Sequence, residues 1–183
     1  MQSLTAKPKR WIGVACVDWD SPALVAAGFY PDDVPVEWHL TYYANMIMAC
    51  VLSPQKWLNA SAQAIADWCD QTQDNFWFYL LCESPEQLEQ AKACAVLFSG
   101  KLAGLVVSST SDDALAPSGL PMLSFGREVF CYDHEQLRLA KPALLHWLGS
   151  DAAQGHGLIL MSSSTVAQVT DVQTLLDLLG VGQ

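Results

Sequence analysis

The chain has 183 residues, which is long enough for one domain or for two small domains packed tightly together. Hydrophobic residues make up 51% and charged residues 15% of the chain, so the composition excludes intrinsic disorder. The formal net charge of −10 argues against nonspecific binding to nucleic acid or to an anionic membrane, because Lys and Arg are needed to neutralise phosphate groups.

The amino-terminal residues do not resemble a secretion signal, because the apolar run at 11–17 is short and Asp18 and Asp20 follow it directly. No uncharged apolar stretch reaches the ~18 residues of a membrane-spanning helix. The six cysteines show no Cys-x-x-Cys spacing and are expected to be buried thiols. We therefore expect a cytoplasmic protein with no metal, no cofactor and no membrane or nucleic-acid partner.

Short apolar runs alternate with amphipathic segments in the first half of the chain. Residues 11–17 predict a strand buried on both faces, and turn signals follow it. A helix is predicted over residues 36–45, a second strand over 46–52, and a helix that starts at Pro54 and continues to Asp70.

The second half continues this alternation. Strands are predicted over residues 75–82, 102–108, 129–132 and 158–161, and residues 122–125 are either the first part of the fifth strand or a separate strand. Ser84 and Gln87 form the pattern of a capping box at the start of a helix that ends near residue 99. Further helices are predicted over 134–148, with a kink or break at Pro142, and over 166–179.

Six repeats of a strand followed by a helix predict an α/β fold with a parallel sheet. Two architectures fit: an incomplete or irregular TIM-like barrel, or an open doubly wound sheet. No linker rich in Gly, Pro or Ser divides the chain, so residues 1–183 are expected to form a single domain. The longest polar segment, residues 108–120, is expected to lie over the carboxyl-terminal edge of the sheet.

Three segments occur in the order and spacing of a known family. They are Asp18-Trp19, residues 28–32 (Gly-Phe-Tyr-Pro-Asp) and residues 40–44 (Leu-Thr-Tyr-Tyr-Ala). Together with residues 68–72 and 74–78, they resemble the YecE-like family, the domain of unknown function 72, over residues 11–109. The resemblance implies a TIM-like barrel whose biochemical activity is not established.

The chain departs from that family where polar groups are expected at the carboxyl ends of the strands. The family carries a Glu in its second strand and a Lys at the end of its third, and the aligned residues here are Val51 and Leu81. Ser108, Thr110 and Ser111 stand where the family has a Gln and two prolines. Because catalytic groups of α/β barrels lie at this edge, the joint loss of these positions predicts a non-catalytic binding or interaction protein.

The alternative interpretation is a small hydrolase or isomerase with four candidate catalytic residues. Asp18 and Asp20 follow the first strand, Glu83 follows the third and His134 follows the fifth. Residues two apart in an extended segment share a face, so Asp18 and Asp20 could converge as acid and base. In the competing interpretation, both are turn residues whose carboxylates accept hydrogen bonds from nearby N–H groups.

Four other residues are candidates for contact with a small-molecule ligand. Trp19 could stack on a ring and Tyr30 could form a hydrogen bond, while Ser108 and Ser162 follow the fourth and the last strand. The alternatives are a place in the core for the aromatic side chains and helix capping for the serines after the last strand.

A homodimer is the expected assembly. A parallel sheet of about six strands leaves its edges open. The last helix is apolar over a wide surface that includes Leu175 and Leu179, which offers material for an interface. The alternative is a monomer in which residues 108–120 cover the open edge.

Overall fold

The computed structural model describes residues 11–108, 119–133, 136–150 and 155–181. Its strands are β1 (Trp11–Val17), β2 (Ala49–Leu52), β3 (Trp77–Cys82), β4 (Leu102–Val107), β5 (Met122–Ser124), β6 (Val129–Tyr132) and β7 (His156–Met161). All are parallel and form one sheet in the order β5-β4-β3-β2-β1-β7-β6. Strands that follow one another in the chain therefore lie side by side, as in a TIM-like barrel, and the open doubly wound alternative is wrong.

The sheet nearly closes on itself, because the end of β5 reaches the start of β6. Phe125 pairs with Val129 in an isolated parallel bridge. Residues 122–125 thus begin a separate strand instead of extending β6, and the sheet has seven strands rather than the expected six. The expectation that both edges of the sheet stay open is wrong for the same reason.

Glu128 joins three strands at this closure. Its backbone carbonyl accepts a hydrogen bond of 2.8 Å from Leu158 N in β7. Its carboxylate accepts hydrogen bonds from the backbone N and the Oγ of Ser124 in β5, at 3.0 and 2.8 Å. Since Glu128 directly precedes β6, its backbone and side chain connect β5, β6 and β7.

The helices lie outside the strands. They are α1 (Pro22–Ala26), α2 (His39–Met46), α3 (Pro54–Leu58), α4 (Ala62–Asp70), α5 (Pro85–Cys94), α6 (Leu137–Leu148) and α7 (Val166–Leu178), with 3-10 turns at Val36–Trp38 and Ala95–Phe98. No helix in the described part of the chain is long and apolar enough to cross a bilayer.

Helix boundaries follow local capping chemistry. The helix predicted over 54–70 is two helices, because the Ser61 hydroxyl accepts a hydrogen bond from Ala64 N at 3.1 Å and starts a new one. Thr165 and Gln168 form a complete capping box at the start of α7. Helix α6 contains Pro142 in its interior and continues over Leu137–Leu148 without a break, so of the expected kink or break only the break is wrong.

Two apolar clusters hold the fold together. One lies between the strands and the helices, and it includes the fully buried Tyr43, Phe76, Phe78 and Phe98. The other fills the inside of the barrel with alternate residues of the strands, namely Ala15, Ala49, Val51, Tyr79, Val106, Leu123, Val129, Leu158 and Leu160. Because a strand points successive side chains to opposite faces, an apolar run such as β1 supplies both clusters.

Replacing Glu128 with Ala is expected to lower the free energy of unfolding by about 1–3 kcal/mol, since the buried Ser124 loses the acceptor for its N–H and its hydroxyl. Urea unfolding measures this change. Arg127→Ala is the control, because Arg127 is 60% exposed and its loss should change stability by less than about 0.5 kcal/mol. Equal effects of the two substitutions would contradict the role assigned to Glu128.

Candidate functional site

Asp18 lies at the carboxyl end of β1, where sequence analysis placed a catalytic candidate. It adopts a positive φ of 48°, and its backbone N donates to Val51 O at 2.9 Å. Its carboxylate Oδ1 accepts a hydrogen bond of 2.9 Å from Ser53 N at the start of α3. The carboxylate therefore joins the ends of β1 and β2, in agreement with the turn interpretation.

Asp20 binds a different group. Both of its carboxylate oxygens contact Lys56 Nζ, at 2.6 and 2.7 Å. The same ammonium lies 4.0 Å from the centroid of the Trp19 ring, within the range of a cation–π interaction. Asp18 and Asp20 are thus held by separate partners.

Trp19 and Tyr30 are core residues. Trp19 is buried and meets Trp68 edge to face, with ring centroids 5.1 Å apart. The Tyr30 hydroxyl donates to the Trp19 carbonyl, and its ring stacks on His39 at 3.8 Å. Both predicted ligand contacts are engaged with other parts of the chain, so the core alternative describes them better.

Glu83 and Ser108 line one shallow cleft at the ends of β3 and β4, with a volume of about 90 Å³. The Glu83 backbone N donates a hydrogen bond of 2.7 Å to the Gln87 side chain. Glu83 itself is exposed. Cys82 lies beside it, and burial raises the pKa of its thiol to about 11, so the thiol is protonated at neutral pH. Ser162 is exposed after β7, and His134 lies outside the described residues.

The carboxyl-terminal end of the barrel interior is packed with apolar side chains. Val17, Leu81 and Phe125 lie at or just beyond the ends of their strands and pack against the interior cluster. The deeper Val51 and Leu160 are buried beneath this end. This is the end at which α/β-barrel enzymes carry their catalytic groups.

The opposite end of the barrel contains an aromatic pocket. Its volume is about 290 Å³, and it is lined by Trp11, Trp77, Tyr79, Ala103 and His156. Four of these residues stand within the first two positions of their strands, so the pocket is the amino-terminal mouth of the barrel. The Trp11 ring lies 4.6 Å from the His156 ring and 6.5 Å from the Tyr79 ring, measured between centroids. We call these five residues the mouth pocket.

The polar groups of the mouth pocket pair with each other. The Tyr79 hydroxyl and His156 Nε2 are within hydrogen-bond distance. Burial lowers the pKa of His156 and raises that of Tyr79, so both side chains are uncharged at neutral pH. No Asp, Glu, Lys or Arg of the described chain lines the pocket.

The mouth pocket was not predicted from the sequence, because Trp11 and Trp77 lie within predicted apolar strands and His156 lies before the strand predicted over 158–161. One available signal was the spacing of Trp77 and Tyr79, which puts both rings on the same face of β3. The residues that this face of β3 contacts depend on which strand lies across the barrel, and local spacing does not predict that strand.

The chain was compared with models of protein families, with curated proteins and with solved structures, and none of these matched. The similarity to the YecE-like family therefore stays a prediction from residues 11–109. Among the described residues, no group of three or more His, Cys, Asp or Glu side chains is placed to hold a metal ion.

The lowered pKa of His156 predicts a loss of stability in acid. The unfolded chain binds a proton near pH 6.5, above the pKa of the folded His156, so stability should fall as the pH drops through 6.5 toward that lower value. Urea unfolding at about pH 7.5 and about pH 5.5 measures the loss. His156→Gln should reduce the loss, because the variant has no group at this position to protonate, and an unchanged pH dependence would contradict this explanation.

Proposed function

We propose that this chain is a non-catalytic binding protein, a divergent relative of the YecE-like family, that holds a small molecule in the mouth pocket. The mouth pocket is the observation that carries the proposal. It is enclosed by four aromatic or heteroaromatic rings, and the described residues around it supply no charged group. Binding sites for small molecules are concave and mostly apolar, with a few polar groups that set orientation.

The location of the pocket favours binding over catalysis. It lies at the amino-terminal end of the barrel, whereas α/β-barrel enzymes act at the carboxyl-terminal end. At the carboxyl-terminal end, the Asp18 carboxylate accepts a hydrogen bond from a backbone N–H and the Asp20 carboxylate pairs with Lys56. Apolar side chains of the described residues line the space between the strand ends. A TIM-like barrel is also the fold that the family resemblance implies, and this agreement supports the assignment to a relative.

The lining determines the chemistry of the ligand. Flat aromatic faces favour a planar ring, which stacks on Trp11 or Trp77 in an offset or edge-to-face geometry. The described residues of the lining offer no counter-charge to a charged ligand, which favours an uncharged one. A volume of about 290 Å³ is at the lower limit of common ligand sites, which range from roughly 300 to 1,000 Å³. We therefore propose a small, neutral, planar aromatic compound.

A hydrolase or isomerase is the second candidate, and the cleft shared by Glu83 and Ser108 favours it. A carboxylate and a hydroxyl lie in one concavity at the catalytic end of the barrel. The cleft holds only about 90 Å³, and among the described residues no base lines it besides Glu83. General acid–base chemistry on a substrate needs more room and a second group, so the binding proposal fits the structure better.

Native mass spectrometry of the purified protein tests the binding proposal. The wild-type chain should carry a small neutral compound, or take one up from a library of planar aromatic compounds. Ala103→Trp should abolish this binding by filling the pocket, whereas Ala93→Trp, the same change at an exposed position of α5, should not. A wild-type protein that takes up no library member, or equal binding by both variants, would contradict the proposal.

The homodimer predicted from the sequence remains a proposal. Leu178 is 81% and Leu179 44% exposed at the end of α7, which leaves apolar surface available for a two-fold contact. Sedimentation at micromolar concentration should give twice the chain mass of 20.0 kDa. Leu179→Asp should dissociate the dimer, and a single species of the chain mass in the wild type would end this proposal.

A further inference from the structure

A third concave surface lies on the outside of the barrel, at the start of α2. Its volume is about 410 Å³, and its lining includes Asp33, Val34, Pro35, Trp38 and Tyr42. We call these five residues the α2 groove. It belongs to neither the mouth pocket nor the cleft at Glu83.

Two aromatic side chains, those of Trp38 and Tyr42, line the α2 groove. Trp38 and Tyr42 are four residues apart around the start of α2, which puts them on the same side of the helix. Tyr42 is held in place, because its ring packs against the rings of Phe29 and Tyr30 at 6.1 and 5.7 Å. Trp38 is 64% exposed, although Trp is a residue type that is usually well buried. The Tyr42 ring, the exposed Trp38 ring and Pro35 together form a surface against which an apolar group of a partner can pack.

The surroundings of the groove are acidic. Asp33 lines it, and Asp32 and Glu37 are exposed next to it in the chain. The sequence contains no Lys or Arg between Arg10 and Lys56. Ion pairs within the described part of the chain involve none of these three carboxylates. A basic occupant of the groove would therefore find carboxylates beside it that form no ion pair in the described part of the chain.

We propose that the α2 groove binds a basic, proline-containing peptide segment of a partner protein. Polyproline II segments dock in grooves lined by aromatic side chains, and they lose little conformational entropy because proline already fixes their shape. Proline rings of the segment pack against Trp38 and Tyr42, and a flanking Arg or Lys pairs with Asp33. This proposal does not depend on the small-molecule ligand of the mouth pocket.

Charge also argues against the other occupants. Nucleic acid would place its phosphates against Asp32, Asp33 and Glu37. A second copy of this chain carries a net charge of −10, which opposes its approach to an acidic surface. A basic segment is the complementary partner, and complementary charge also speeds its association.

An array of peptides tests the proposal. It contains Arg-Pro-x-x-Pro and Pro-x-x-Pro-x-Arg sequences, each beside a version with Glu in place of Arg, and it is probed with the wild-type protein and three variants. The Arg peptides should retain the wild type and the Glu peptides should not. For the best peptide, Trp38→Ala should weaken binding by about tenfold and Asp33→Asn by about threefold in solution. Leu178→Ala removes an apolar side chain that is 81% exposed at the end of α7, outside the groove, and should have no effect.

Three results would overturn the proposal. The first is retention of no Arg peptide by the wild type above the level of Trp38→Ala. The second is equal binding of Arg and Glu peptides, since it would remove the role of Asp33. The third is self-association of the wild type that Trp38→Ala abolishes, since it would make a second copy the occupant. Thermal unfolding of Trp38→Ala should match the wild type, because the side chain is largely exposed.

Discussion

The hydrogen bond between the Tyr79 hydroxyl and His156 crosses the inside of the barrel, and the arrangement of the interior depends on it. Tyr79 is in β3 and His156 in β7, and β2 and β1 lie between those strands. At Gly104 in the neighbouring strand, a Cβ would lie 2.8 Å from Pro121 O, so the glycine allows the backbone before β5 to approach β4 closely. At Gly13, a Cβ would lie 2.3 Å from the Trp11 ring. Gly13 therefore makes room for a large aromatic ring inside the barrel.

The two ends of the barrel interior have unlike linings. Toward the carboxyl ends of the strands, Val51, Leu160 and their described neighbours form one apolar cluster, while the carboxylates of Asp18 and Asp20 bind Ser53 N and Lys56. On the amino-terminal side, Trp11, Trp77 and His156 surround the mouth pocket. Among the described residues, apolar side chains line the end that carries catalytic groups in α/β barrels, and the aromatic pocket lies at the opposite end. The proposal of a binding function rests on this arrangement.

Local patterns predicted the elements well, and long-range geometry could not be predicted from them. The apolar run of β1 and the capping residue Ser84 were correctly identified, since a strand buried on both faces and a helix start have local signatures. The number of strands was wrong, because β5 is three residues long and meets β6 only through the Phe125 bridge. Asp18 and Asp20 were correctly placed at the carboxyl end of β1, but their partners come from residues 53 and 56, which no pattern connects to them.

The most direct test of this account is a double-mutant cycle on the contact that crosses the barrel. The free energy of unfolding is measured in urea at about pH 8, where His156 is neutral, for the wild type, Tyr79→Phe, His156→Phe and the double variant. If the two side chains bond across the interior, the effects of the single substitutions should fail to add by about 1 kcal/mol. Additive effects would show that Tyr79 and His156 do not interact, and they would contradict the pairing of the two polar groups of the mouth pocket.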